Sequence, residues 1–214
     1  MFEMPVEHHL MALIGLVSAL PLGLAARLGR FCTLGAIEDL LYGGSDLRMR
    51  MWGIAIGTAT IGSFALMAAG LFDPAQSHYL SVRWMPMASI FGGLLFGYGM
   101  ALAGNCGFGA IARLGGGDLR SFVIVLVMGV ATWTVLAGPL APLRAAVFPQ
   151  EAAAGTPPTL AHGISALTGL APAAIGLTLG AALLAVSLTS RRLLAAPERI
   201  AWAAMVGAGV VLAW

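Results

Sequence analysis

Charge is what this sequence has least of. Only 9% of its 214 residues are charged, whereas 59% are hydrophobic, and the mean hydropathy is +0.92. A soluble globular domain carries roughly a quarter charged residues. The scarcity of charge therefore excludes an ordinary soluble domain and predicts an integral membrane protein.

Lysine is missing altogether, and cysteine occurs only twice. All eleven basic residues are arginine, and a nucleic-acid partner is not expected, because it would require a clustered basic face. Cys32 and Cys106 lie 74 positions apart, which matches no metal-ligand spacing. No metal site and no cofactor are therefore predicted. The Walker motif is absent as well, which argues against an ATP site.

Apolar segments long enough to cross a bilayer recur along the chain. About 20 residues are needed to cross the hydrocarbon core, and the uncharged runs predict about six transmembrane helices. The predicted spans lie between His9 and Arg27, between Arg50 and Asp73, from Pro86 to Ala103, between Arg120 and Arg144, from Ile164 to Ser190, and from Ile200 to Trp214. The last span is short for a full crossing, which suggests a truncated chain or a half-size unit that pairs with another copy.

The distribution of arginine predicts how the chain is oriented. We expect residues 1–214 to form a single transmembrane domain in which residues 144–163, rich in Ala, Pro, Gly and Thr, form an extramembrane loop. Residues 164–214 add further helices. Nine arginines fall on one side of the predicted spans and two, Arg83 and Arg144, on the other. By the positive-inside rule, this places the N-terminus outside in a multi-pass protein of the inner (plasma) membrane.

An internal repeat surrounds the two cysteines. "GRFCTLGAIEDLLYGGSDLRMRMWGIAIG", residues 29–57, aligns with "AGNCGFGAIARLGGGDLRSFVIVLVMG", residues 103–129. Both segments contain Cys-x-x-Gly-Ala-Ile, a Gly-Gly step, Asp-Leu-Arg, and a glycine nine residues after the arginine. The repeat units extend over approximately residues 10–72 and 84–143. Such self-similarity indicates two copies of one structural unit.

The sequence pattern of each repeat predicts four elements in order: a long helix, a glycine-rich break at the cysteine, a short half-helix and the next long helix. Non-helical backbone at membrane depth survives only where protein buries it or water lines it. Paired interruptions in a repeat point to the substrate site of a transporter. The half-helices "TLGAIEDLL" and "FGAIARL" would present free N–H groups beside the thiols and attract an anion. The predicted fold is an all-α integral membrane protein with two re-entrant half-helix segments.

The residues predicted to line the substrate path surround the two thiols. They are Cys106, Cys32, Gly104, Asn105, Gly107, Gly109 and Gly35. A lone membrane cysteine packs as a small hydrophobe, but the matched repeat positions favour a functional role. The glycines either shape an anion site or permit close helix packing. Asn105 either faces the substrate or caps the second half-helix.

Four charged residues in the last turn of a half-helix or after its end have two interpretations each. Arg113 and Arg120 mark the cytoplasmic side or attract an anion. Asp46 and Asp118 either cap the next helix or form ion pairs with nearby arginines. The sequence alone does not separate these roles.

The motifs "GRFCTLGAI" and "AGNCGFGAIARLGGG" resemble those of the YeeE/YedE family of membrane proteins, a sulphur-transport family. The resemblance covers roughly residues 10–140. It implies thiosulfate uptake through a narrow, glycine-rich, re-entrant pore, in which the thiols of Cys32 and Cys106 relay the anion by S–H hydrogen bonds. Full-length members resemble a longer chain with a further cysteine motif, whereas this sequence has no third cysteine.

The expected function is therefore a transporter or channel for a small sulfur-containing anion, with thiosulfate as the first choice, and not an enzyme. One alternative is a membrane sulfurtransferase-type protein that carries sulfur on Cys106. Others are transport of a selenium or other sulfur species, and a scaffold in which the cysteines only pack. The expected partners are the sulfur oxyanion and the lipid bilayer, with a cytoplasmic sulfur-carrier protein and a second copy or second half as further candidates.

Overall fold

The computed structural model describes residues 6–74, 77, 80, 82–149 and 159–213, and within them the regular structure is helical. The helices are α1 (Val6–Arg27), α2 (Thr33–Leu41), α3 (Leu47–Ala68), α4 (Pro86–Ala103), α5 (Gly107–Gly115), α6 (Leu119–Leu136), α7 (Ala141–Val147), α8 (Leu160–Thr168), α9 (Pro172–Ser187), α10 (Arg191–Leu194) and α11 (Pro197–Leu212). The predicted all-α class is confirmed. Part of the predicted loop over 144–163, namely residues 150–158, lies outside the described residues.

Four helical stretches are long and apolar enough to cross a membrane. They are His9–Arg27, Leu47–Ala68, Pro86–Gly115, which includes α4 and α5, and Leu119–Leu136. Helices α9 and α11 have 16 residues each. The structure thus supports a multi-pass membrane protein by helix length and composition.

The predicted single span from residue 164 to residue 190 is wrong, because two helices occupy it. Helix α8 ends at Thr168, and Gly169 adopts a left-handed φ of 74°. Helix α9 then begins with Pro172 in its first turn. A left-handed glycine after one helix and a proline at the start of the next are typical helix boundaries.

The breaks predicted beside the cysteines are confirmed. Helix α4 ends at Ala103, and Gly104 caps it with a left-handed φ of 69°, a conformation that glycine adopts without steric cost. Helices α2 and α5 each begin at the residue that follows a cysteine.

The chain divides into two compact units. Unit 1 comprises Met1–Phe72 and Leu170–Trp214, and unit 2 comprises Asp73–Gly169. The core of unit 1 combines α1, α3, α10 and α11, through residues that include Ala25, Ile54, Leu193 and Val206. In unit 2, α5 packs against α6. Each unit therefore contains one copy of the cysteine repeat.

Small residues allow α3 to approach α9 and α11 closely. A Cβ atom on Gly57 would lie 3.1 Å from the carbonyl oxygen of Gly180, and one on Gly180 would lie 3.2 Å from the carbonyl oxygen of Gly57. A Cβ on Gly207 of α11 would lie 2.5 Å from the carbonyl oxygen of Ala55. Close backbone approach of this kind is how membrane helices gain packing energy. Gly57 of α3 thus meets Gly180 of α9 with direct contact between the two backbones.

Arg50 joins the start of α3 to the end of α9. Its Nη1 donates hydrogen bonds to the carbonyl oxygen of Val186 at 2.9 Å and to Oγ1 of Thr189 at 2.8 Å. Its Nε pairs with Oδ2 of Asp46 at 2.5 Å. A cation that satisfies the last carbonyls of a helix also interacts favourably with the helix dipole. Arg50 therefore has a structural role.

We predict that Gly207→Ala destabilises unit 1, because the added Cβ would overlap the backbone at Ala55. Overpacking of this kind costs about 1–3 kcal/mol. The matched control is Gly23→Ala in α1, where a Cβ would meet no atom within 4 Å. The measurement is the melting temperature of the purified chain in detergent. Equal melting temperatures for the two variants would contradict the packing described for α3 and α11.

Candidate functional site

Both cysteines occupy the N-cap position of a half-helix. Cys32 precedes α2 with φ −147° and ψ 129°, and Cys106 precedes α5 with φ −87° and ψ 163°. These are extended conformations typical of an N-cap residue. The N-cap residue of α5 is Cys106, so the interpretation of Asn105 as the cap of the second half-helix is wrong.

The two thiols differ in their hydrogen bonding and in their exposure to solvent. The Sγ atom of Cys106 accepts a hydrogen bond from the backbone N–H of Gly109 at 3.3 Å, whereas the side chain of Cys32 makes no capping hydrogen bond. Cys106 is 4% exposed, and Cys32 is half-buried. The repeat therefore places the thiols equivalently on the backbone but gives them different surroundings.

An alanine anchors each half-helix at the same repeat position. Ala36 in α2 is 1% exposed, and Ala110 in α5 is 0% exposed. Both follow the glycine of the Cys-x-x-Gly-Ala-Ile motif. Each half-helix therefore buries the same small side chain at the same position, as expected for two copies of one structural unit.

Asn105 and Gly107 border an apolar cleft of about 500 Å³ in unit 2. The other walls come from α4 and α6 and include Phe96, Met100 and Val127. Asn105 is 6% exposed, so its amide brings polarity to an otherwise apolar wall. A Cβ on Gly107 would lie 3.2 Å from Sδ of Met128, so glycine leaves the space at this end of the cleft open.

Gly35 and Gly109 occupy equivalent repeat positions but have different neighbours. A Cβ on Gly35 would overlap the guanidinium of Arg48, which forms an ion pair with Asp39 at 2.6 Å between Nε and Oδ2. A Cβ on Gly109 would lie 3.5 Å from Sγ of Cys106, which is an ordinary contact. A side chain at position 35 would therefore displace the flexible end of Arg48, whereas one at position 109 would overlap no neighbouring atom.

The aspartates that begin the long helices after the half-helices also differ. Asp46 accepts a hydrogen bond from the side chain of Arg50, and this bond lowers the pKa of Asp46 from its usual value. Asp118 caps α6 by accepting from Oγ of Ser121 at 2.9 Å and from the backbone N–H of Arg120 at 3.1 Å. These bonds, that from Ser121 foremost, lower the pKa of Asp118. Asp46 is thus an ion-pair partner and Asp118 a helix cap.

The first repeat carries an ion pair that the second lacks. Asp39 corresponds to Arg113 in the alignment, and Arg48 corresponds to Arg120. Arg48 and Asp39 neutralise each other, whereas Arg113 and Arg120 are both exposed. The charge difference at one aligned position was the sequence signal for this pair.

The predicted site residues form two groups, one in each unit. Gly104, Asn105, Cys106, Gly107 and Gly109 lie together at the break between α4 and α5. Cys32 and Gly35 lie at the start of α2. Among the described residues, no group of three or more His, Cys, Asp or Glu side chains could hold a metal ion.

We predict that Cys106→Ala lowers stability more than Cys106→Ser, because serine keeps an acceptor for the N–H of Gly109. Loss of an N-cap acceptor costs about 0.5–2 kcal/mol. Cys32→Ala is the control without a capping bond, and its stability should stay near that of the wild type. Melting temperatures in detergent measure the differences. If Cys106→Ala and Cys106→Ser melt together, the capping role is refuted.

We also predict that a maleimide labels Cys32 faster than Cys106, because Cys32 is half-buried and Cys106 is buried. Intact-mass measurement over time, on the wild type and on the two single serine variants, gives the rate at each thiol. Equal rates would show that Cys106 is as accessible as Cys32 and would contradict the burial described here.

Comparison with known proteins identifies the family of the chain. The model of the family described as sulphur transport matches residues 28–213. The chain is 33% identical over 113 residues to thiosulfate transporter TsuA of Escherichia coli (strain K12). The aligned segment covers 53% of this chain and 31% of that relative. The chain thus spans about a third of the length of the relative. No solved structure matches. The match includes both cysteine half-helices and most of the chain, so the resemblance to the YeeE/YedE family is confirmed and the chain belongs to the sulphur transport family.

Proposed function

We propose that this chain takes up a small sulfur oxyanion, thiosulfate first, through a membrane pathway in which the thiols of Cys32 and Cys106 relay the anion. The observation that carries the proposal is the duplicated placement of a thiol at the N-cap of a half-helix. The family and the transporter named among the relatives support the substrate class.

The N-cap position suits an anion relay for electrostatic reasons. The first turn of a helix has N–H groups without partners within the helix, and the helix dipole places partial positive charge there. At Cys106 the sulfur already accepts from Gly109, so its S–H hydrogen remains free to donate to a passing anion. A thiol is a weak donor, and weak binding at successive sites permits release as well as capture.

The membrane arrangement completes the proposal. Helices α2 and α5 enter the bilayer as re-entrant segments, and α1, α3, α4, α6, α9 and α11 form the six spans. Helices α9 and α11 have 16 residues each, about 24 Å of helix, and therefore suit a locally thinned bilayer. The N-terminus lies outside the inner membrane. A second copy or second half completes the pathway, and a cytoplasmic sulfur-carrier protein receives the cargo.

A sulfurtransferase remains the alternative function. In that mechanism Cys106 would carry covalent sulfur and hand it to an acceptor, which requires an accessible thiol. The 4% exposure of Cys106 favours passage of the anion over transfer to another protein. Detection of a persulfide on Cys106 after exposure to substrate, by mass spectrometry, would favour the alternative.

The test is thiosulfate-dependent growth of a sulfur-starved host that expresses wild type, Cys32→Ser or Cys106→Ser. Serine keeps the cap acceptor at position 106, so the change isolates the sulfur chemistry. We expect uptake to fall by about tenfold or more in each variant, because the O–H group of serine is a stronger donor than the S–H group and holds the anion too tightly for release; a difference of about 1.4 kcal/mol is worth a factor of ten.

Expression and melting temperature of each variant serve as controls for folding. Uptake retained by both variants at normal expression would refute the relay. Absence of uptake by the wild-type chain would refute the transport function itself. A selenium cargo is tested in the same host by competition of selenite with thiosulfate.

A further inference from the structure

A polar cleft of about 370 Å³ lies in unit 1, beside the segment that leads into Cys32. Its charged and aromatic lining consists of Arg30, Asp39, Arg48, Glu198, Arg199 and Trp202. Neither cysteine lines this cleft. It is therefore distinct from the two thiol positions of the proposed relay.

A tight turn after α1 brings the cleft together. A Cβ on Gly29 would lie 2.8 Å from Cβ of Trp202, so glycine allows α11 to pack directly on this turn. Arg30 follows with φ 50°, in the left-handed region. That region is sterically unfavourable for a residue that carries a Cβ atom. The turn places Arg30 in the same cleft as Arg199 of α11.

The charges that face the cleft do not cancel. Arg48 is neutralised by Asp39, whose Oδ2 lies 2.6 Å from its Nε. In the described part of the chain, the salt bridges include neither Arg30 nor Arg199. Glu198 is adjacent to Arg199 in α11, and adjacent helical residues do not face each other. Glu198 also lies in the first turn of α11, where the helix dipole stabilises a carboxylate.

We propose that this cleft binds an oxyanion through the guanidinium groups of Arg30 and Arg199. A guanidinium presents a planar fork of donors that matches two oxygens of an oxyanion. Two sources supply this chemistry: a free sulfur oxyanion, and the phosphodiester headgroup of an anionic lipid. Arg30 lies two residues before Cys32, so the cleft could hold the transported anion before it reaches that thiol; this role rests on the proposed function. Binding of an oxyanion in the cleft does not depend on the proposed function.

Trp202 provides a built-in reporter, because it lines the cleft. The first arm of the experiment follows tryptophan fluorescence of the purified full chain in a neutral detergent during titration with sodium thiosulfate at constant ionic strength. We expect a saturable change that Trp202→Phe abolishes. Arg199→Gln, alone and with Arg30→Gln, should weaken the apparent affinity by about tenfold or more, as expected from loss of a charge-assisted hydrogen bond.

Arg191→Gln is the control, because Arg191 is an exposed arginine of unit 1 that does not line the cleft. Its titration should match that of the wild type. Arg199→Lys keeps the positive charge and should bind more tightly than Arg199→Gln, which separates charge from folding.

The second arm compares chain reconstituted in phosphatidylglycerol nanodiscs with chain in phosphatidylcholine nanodiscs. Fluorescence that changes with phosphatidylglycerol, and a thiosulfate response that this lipid suppresses, would assign the oxyanion to a lipid headgroup. A thiosulfate response that is equal in both lipids would assign it to the free anion. No saturable response in either arm, or one unaffected by the double arginine variant, would overturn the proposal.

The binding test of the cleft and the uptake test of the proposed function can succeed or fail independently. If binding is observed but the wild-type chain takes up no thiosulfate, the cleft stands and the transport function fails. In the converse case the wild type takes up thiosulfate, the double arginine variant takes it up equally well, and the purified wild type gives no binding signal. The transport function then stands and the proposed oxyanion site fails.

Discussion

The first turn of a helix leaves backbone N–H groups without partners within the helix, and this constraint applies at the start of both half-helices. Each unpaired group is costly to bury unless something accepts its hydrogen bond. At α5, the sulfur of Cys106 accepts from Gly109. The other N–H groups of the first turn are the natural ligands of an anion. The start of a helix beside the thiol therefore links three features: the glycine turn before it, the hydrogen bond to the sulfur, and the proposed binding of an anion.

The two repeats use this arrangement in different environments. Around the first, charged side chains predominate: Arg48 pairs with Asp39 over Gly35, and a polar cleft lies nearby. Around the second, the thiol is buried and the adjoining cleft is apolar apart from Asn105. A half-exposed thiol in a charged setting suits exchange of an anion with water. A buried thiol suits a dry, selective passage, in which a hydrogen bond is stronger because water does not compete.

The breaks at the cysteines could be predicted from the sequence, because glycine and the repeated motif define them locally. Gly53 and Gly57 in α3, and Gly176 and Gly180 in α9, are four positions apart, and this spacing of small residues is typical of closely packed membrane helices. The break at Gly169 was missed because hydropathy alone joined two apolar helices across a glycine and a proline. The opposite charges of Asp39 and Arg113 at one aligned position indicate that the repeats differ, but the pairing of Arg48 with Asp39 depends on how α2 packs against α3, a contact between helices that this position alone does not predict.

The proposed relay requires that sulfur atoms, and not merely small side chains, carry the anion past the half-helices. The most direct measurement is the influx of radiolabelled thiosulfate into sealed proteoliposomes that contain wild type or the Cys32→Ser/Cys106→Ser double variant at equal protein density. The thiol relay predicts saturable influx for the wild type and background influx for the double variant. Equal influx for the two proteins would contradict it.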